Sequence, residues 1–214
     1  MVETVTQIAA VIAAAGQSRR MGRPKQLLPW GDVTVIAAVV DNLHAAGAVP
    51  VVCVIGHRSA ELREALRDAP AVLVYNEEYQ AREMIASYQA GVRWLRREQT
   101  PCTGTLIALS DQPQIPAAII EQVLAEAARQ PDRIVIPSHR MRRGHPMYLP
   151  AALWDELLAL PPGETLRDLI RRHEARIAYV VVESDAILRD LDTPEEYAAL
   201  RREDLQHEDL QRDA

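Results

Sequence analysis

The sequence predicts an α/β domain in three layers, α/β/α, around a mixed but mainly parallel sheet. Three observations carry that expectation. Short β-branched apolar runs alternate along the chain with segments of helix length, beginning with strand, helix, strand, helix, strand. Aromatic residues make up only 4% of the chain and Phe is absent, so the 48% apolar fraction must build its core from Val, Ile, Leu and Ala, which suits strands buried on both faces. A length of 214 residues fills one such domain and is short for two.

The elements follow in order. Ile8 to Ala15 is an apolar run that reads as a buried strand and breaks at Gly16. Val33 to Ala46 is apolar on nearly all sides and stops at Gly47, as a buried helix would. Val49 to Ile55 is a second inner strand, and Ser59 stands where it would cap a helix over Ala60 to Leu66. Ala71 to Tyr75 is a third strand, Met84 to Leu95 a helix, and Thr105 to Leu109 a fourth strand ending in Ser110-Asp111-Gln112-Pro113. Pro116 opens a helix over Ala117 to Arg129, and Ile134 to Pro137 is a fifth strand. His139 to Arg143 reads as a basic turn leading into Gly144-His145-Pro146-Met147-Tyr148. Ala151 to Leu160 and Leu166 to His173 are helices, the second with Thr165 as cap, and Ile177 to Val182 is the last strand. Thr193, Pro194 and Glu196 form a capping box for a final helix. The expectation is one Rossmann-like domain over residues 1–202 and a polar C-terminal tail over 203–214, where Glu-Asp-Leu-Gln occurs twice.

Chemistry concentrates after the first strand. Arg19, Arg20, Arg23 and Lys25 put four cations between Gly16 and Lys25 in a chain of net charge -6, which suggests a site for a multiply charged anion. Gly16 and Gly22 are placed to allow left-handed backbone and close approach of a phosphate. The spacing is neither that of a Walker loop nor that of a dinucleotide fingerprint. Asp111 ends a parallel strand, at the rim where such sheets bind ligands. The two cysteines, Cys53 and Cys102, lack metal-type spacing, and Cys53 reads as a small core residue. No run approaches the roughly 20 apolar residues of a membrane span. The acidic balance and scarce aromatics argue against nucleic acid as a partner, and the chain is expected in the cytoplasm.

The string Ala14-Ala15-Gly16-Gln17-Ser18-Arg19-Arg20-Met21-Gly22, followed by Lys25-Gln26-Leu27-Leu28-Pro29-Trp30, resembles the signature of nucleotidyltransferases that activate sugars, terpenoid precursors and molybdopterin. Within them it is most similar to the molybdenum cofactor cytidylyltransferase branch, whose guanylyltransferase relatives carry a second glycine in place of Ala15. Asn76-Glu77-Glu78-Tyr79, Arg143-Gly144-His145-Pro146 and Asp190-Leu191-Asp192-Thr193-Pro194-Glu195-Glu196 match further elements of that pattern in its order. One departure is Arg82-Glu83, where the family usually has a glycine.

The resemblance implies a Mg²⁺-dependent (or Mn²⁺-dependent) enzyme that moves CMP from CTP to the terminal phosphate of molybdopterin and releases pyrophosphate. It places Ala14, Ala15, Gly16, Gln17, Ser18, Arg20, Met21, Gly22, Lys25, Asn76, Ser87 and Asp111 about the nucleotide. Lys25, Arg20 and Asp111 would assist the chemistry, and Asp111 and Asp192 would hold the metal, with Asp190 as the alternative second ligand. Arg143, Gly144, His145 and Pro146, with Arg140 and Arg142 nearby, would receive the acceptor. A molybdoenzyme apoprotein or chaperone is the implied partner. The other readings are a guanylyltransferase, a nucleotidyltransferase for another phosphorylated acceptor, or a non-catalytic protein that binds nucleotide or cofactor.

Overall fold

A computed structural model describes residues 7–16, 24–79 and 84–212. The chain runs β1 (Gln7–Ala14), a 3₁₀ turn at Lys25–Leu27, a small hairpin β2 (Pro29–Trp30) and β3 (Val33–Thr34), α1 (Val35–Ala45), β4 (Val51–Ile55), α2 (Ser59–Ala65) and β5 (Ala71–Tyr75). It continues through α3 (Met84–Arg97), β6 (Cys102–Leu109), α4 (Ala117–Arg129), β7 (Ile134–His139), β8 (Arg142–Arg143), β9 (Met147–Pro150), α5 (Trp154–Leu158), α6 (Leu166–Arg172), β10 (Ile177–Val181) and α7 (Pro194–Arg212).

The main sheet has the order β10-β7-β9-β6-β1-β4-β5, with β8 paired to β7. β1 lies parallel to both β4 and β6, β4 to β5, and β10 to β7. β9 is antiparallel to β6 on one side and β7 on the other. The mixed, mainly parallel sheet is therefore as expected, and β9 is the strand that makes it mixed. The sequence pattern assigns no strand to Met147-Tyr148, which follow the basic turn at His139 to Arg143; in the structure all four residues of β9 are buried.

Alternation along the strands divides the core in two. Ile8, Ala10 and Ile12 of β1 face one side with Val51 and Cys53 of β4, packed by Ile36, Val40 and Leu43 of α1, Leu62 of α2 and Ile120 and Val123 of α4. Ala9 and Val11 face the other side, under Tyr88, Val92 and Leu95 of α3, Leu157 of α5 and Leu169 and Ile170 of α6. A third cluster ties the C-terminal helix to the hairpin: Trp30, Val35 and Ala38 pack against Leu191 and Leu200. Cys53 is fully buried, and burial pushes its thiol up to about 12, as fits an inert core residue.

Local chemistry explains the helix starts, with one correction. Thr34 caps α1 through the Ala37 amide at 3.4 Å. Ser59 does not cap α2; it is the first helical residue, and Arg58 precedes it in left-handed backbone at φ 54°. Asp168 accepts the Thr165 amide at 2.9 Å, and Glu196 accepts the Thr193 amide at 2.8 Å while the Glu196 amide donates to Thr193 Oγ1 at 3.2 Å. α7 continues through the repeat that starts at Glu203, so the proposed tail is helical up to Arg212. Among the described residues no helix is long and apolar enough to cross a membrane.

Candidate active site

The parallel strands end on one edge of the sheet. From β1 the chain winds outward through β4 and β5, then resumes on the opposite side of β1 at β6. The ends of β1 and β6 thus flank the point where the winding reverses, the place where open α/β sheets bind ligands. Ala14, Ala15 and Gly16 leave the end of β1, and Ser110 and Asp111 leave the end of β6.

Lys25, Asp111 and Asp192 meet at this point, although 167 residues separate the first from the last. The Lys25 ammonium donates to Asp111 and also to Asp192 Oδ1 at 3.0 Å. Asp111 is only 7% exposed. Burial works against the charge on Lys25, but the Asp111 carboxylate, reinforced by Asp192, holds its pKa above the ordinary lysine range. The cation is therefore fixed at the rim of the sheet.

Glutamine side chains that sequence reading did not single out bring the carboxylates together. Gln112 Nε2 donates to Asp190 Oδ1 at 2.9 Å, and Gln114 Nε2 donates to the carbonyls of Ala186 and Arg189 at 2.9 and 2.7 Å. They lash the segment before α7 to the loop after β6. Glu196 Oε2 accepts the Asp192 amide at 3.1 Å, so the capping box of α7 also orients Asp192. Asp190 turns to Gln112 instead of Lys25, and partial burial, then the charge of Asp111, raises its pKa. The only sequence signal for this was the pair of glutamines flanking Pro113.

These donors suit a hard divalent ion, since two carboxylates, Asp111 and Asp192, converge on a single cationic group. Among the described residues no three His, Cys, Asp or Glu side chains are arranged to hold an ion by themselves. Further ligands would have to be substrate oxygens or water, as magnesium commonly takes them.

Asn76 and Ser87 come together as well. Both are buried, and Asn76 Nδ2 donates to Ser87 Oγ at 3.3 Å while its Oδ1 accepts the Glu78 amide at 3.0 Å. Ala14 and Ala15 are buried and Gly16 is exposed. Gly16 is not in left-handed backbone, and a Cβ there would meet no atom of the described residues within 4 Å. The expected conformational reason for that glycine fails; what it leaves is open space. Gln17, Ser18, Arg19, Arg20, Met21, Gly22 and Arg23, and also Arg82 and Glu83, lie outside the described residues.

Beside this cluster lies a cavity of about 530 Å³ between α3, β9 and α6. Arg143, Gly144 and His145 line it, whereas Arg140 and Arg142 do not. Pro146 faces a small cleft on the opposite side of the sheet with Val39, Leu43 and Gln112, because alternation turns its ring away. His145 Nδ1 lies 3.2 Å from the Ile107 carbonyl, and burial lowers its pKa, which favours the neutral ring. Arg143 pairs with Glu174 at 3.0 Å and sits 5.5 Å over the Tyr179 ring.

Residues 10–177 match the model of the MobA-like NTP transferase domain. The chain belongs to that family, and its activity class is nucleotidyl transfer. It is 24% identical over 196 residues to the molybdenum cofactor cytidylyltransferase of Escherichia coli (strain K12), covering 90% of this chain and 95% of that one. It is 26% identical to the nicotine blue oxidoreductase of Paenarthrobacter nicotinovorans (88% and 94%), and 27% identical to the molybdenum cofactor guanylyltransferase of Mesorhizobium japonicum (78% and 79%). Among solved structures, a nucleotidyl transferase from Methanothermobacter superposes with a TM-score of 0.77 at 26% identity, covering 94% of this chain and 99% of that one. Rv0371c of Mycobacterium tuberculosis in complex with manganese superposes at 0.72 and 26% identity, covering 93% and 100%.

Proposed function

We propose that this nucleotidyltransferase moves CMP from CTP to the terminal phosphate of molybdopterin. An oxygen of the acceptor phosphate attacks the α-phosphorus, the bond from that phosphorus to the bridging oxygen breaks, and pyrophosphate leaves with the electron pair. Such a step brings two anions together and builds charge on the leaving group, so it calls for positioning and cations more than for an acid or base.

The convergence of Lys25, Asp111 and Asp192 at the switch point carries this reading. Lys25 would neutralise triphosphate oxygens, and Arg20 would serve the pyrophosphate side. The backbone of Ala14 to Ser18, with Met21 and Gly22, would cradle base and ribose, and the Asn76–Ser87 pair would border the nucleotide. Magnesium or manganese held by Asp111 and Asp192 would supply further charge neutralisation. Arg143, Gly144 and His145 would face the acceptor across the neighbouring cavity. Support for CTP comes from the Ala14-Ala15-Gly16 string and from the E. coli relative. A guanylyltransferase at similar identity makes GTP the second reading.

The test is pyrophosphate release with each of the four ribonucleoside triphosphates, with and without molybdopterin. The expected outcome is release with CTP that depends on molybdopterin and is lost with EDTA. Asp111→Asn should lower turnover by at least about a hundredfold, the order found when one electrostatic stabiliser of a transition state is removed. Release with GTP alone would transfer the base assignment, and near-normal turnover by Asp111→Asn would refute the role of that carboxylate.

A further inference from the structure

The cavity beside Asp111 has walls of mixed character. Met84, Ile85, Tyr88, Ile136 and Met147 make it largely apolar, and among the described residues its arginines are Arg143 and Arg167. Among the described residues that line it there is no carboxylate. Asp111 lies close enough for its charge to be felt at Tyr88 and His145, two residues of the cavity wall.

The two arginines are not equivalent. Arg143 is already committed to Glu174 and the Tyr179 ring. On α6, Arg171 pairs with Asp168, and Arg172 pairs with Glu156 and Glu164. Arg167, one turn before Arg171 on the same helix, has no acidic partner among the described residues, and it is the arginine of that helix that lines the cavity. An unpaired guanidinium at the edge of an apolar chamber is a ready two-pronged donor for a phosphate or carboxylate.

We propose that Arg167 is an acceptor-binding residue that sets substrate specificity: it receives an anionic group of the acceptor, whose planar or apolar body fills the chamber behind it. This deepens the proposed function and rests on the reading of the cavity as the acceptor side. A sugar phosphate, which needs a polar partner for each hydroxyl, finds few on these walls.

Arg167 is exposed, and alanine is a good helix former, so Arg167→Ala should fold normally. Two measurements test the proposal on the full chain, with Arg171→Ala as a control for general loss of charge on α6. In the first, 4-nitrophenyl phosphate, an aromatic ring with a terminal phosphate, is titrated calorimetrically into each protein. Binding to parent and Arg171→Ala that is weaker by roughly ten- to a hundredfold in Arg167→Ala, the effect of losing one charge-assisted hydrogen bond, would support the role. No binding to the parent, or equal binding to all three, would overturn it. In the second, pyrophosphate release is followed while acceptor and CTP are varied separately. The expected change in Arg167→Ala is a raised KM for acceptor with the KM for CTP unchanged, partly restored in Arg167→Lys; unchanged acceptor KM would also overturn it. A parent without acceptor-dependent release from any triphosphate would sink the functional reading, while the titration would still decide whether Arg167 binds an anion in this chamber.

Discussion

At the scale of single residues, the candidate site concentrates charge. Lys25 keeps its proton because two carboxylates reach it, and it is held at the junction of β1 and β6 before any anion arrives. Gly16 adds space to that charge. Its backbone would suit alanine and no atom of the described residues lies within 4 Å of the added carbon, so Gly16→Ala should melt with the parent. If a phosphate or ribose approaches that backbone, the methyl group stands in its way. CTP with magnesium should then bind at least about tenfold more weakly, the effect of losing one hydrogen bond to an anion. Calorimetric titration beside a melting curve separates the two effects, and undiminished affinity would remove Gly16 from the nucleotide site. Lys25 and Asp111 were readable in the sequence because each sits in a short dense motif. Gln112 and Gln114 were not, because their partners return to them more than 70 residues later.

At the scale of elements, strands and helices with long apolar runs were legible, and short ones governed by tertiary pairing were not. β9 is four residues long, flanked by Pro146 and ending in Pro150, and buried on both faces without alternation. It is a strand because β6 and β7 pair with it from either side, which no local pattern announces. The hairpin β2–β3 escaped notice for the same reason. Packing between α3 and β1 is equally specific. At Gly91 an added Cβ would fall 2.4 Å from Val11 Cγ1, inside the central strand's own core. Gly91→Ala should therefore push α3 off the sheet and cost about 1–3 kcal/mol, the usual penalty of overpacking. Urea unfolding measures this, and Gly91→Ala with Val11→Ala should recover much of the loss if the clash is the cause. A midpoint equal to the parent's would show that α3 is held less closely than the structure describes.

At the scale of the whole molecule, a two-faced sheet supports the edge that carries the candidate site, and the last helix returns to the first hairpin. Tyr197 donates to the Pro29 carbonyl, Leu200 is buried with Trp30 and Val35, and the segment just before α7 carries Asp190 and Asp192 to Asp111. The C-terminal segment therefore belongs to the candidate site as well as to the fold. Past Leu200 the picture changes: Arg189 reaches Glu203 with two bonds, at 2.5 and 3.0 Å, but both groups are substantially exposed. An exposed ion pair contributes roughly 0–1 kcal/mol. We therefore expect a chain ending at Arg202 to be the functional domain, melting within about 3 °C of the full chain and retaining its turnover. Ending the chain at Glu195 removes Tyr197 and Leu200 and leaves Trp30 uncovered, a loss of about 2–5 kcal/mol for the leucine alone. That shorter chain should melt at least about 5 °C lower and lose activity, because Asp192 loses the Glu196 carboxylate that holds its backbone. If truncation at Arg202 were as damaging as truncation at Glu195, the repeat beyond Leu200 would be part of the domain and the boundary placed there would be wrong.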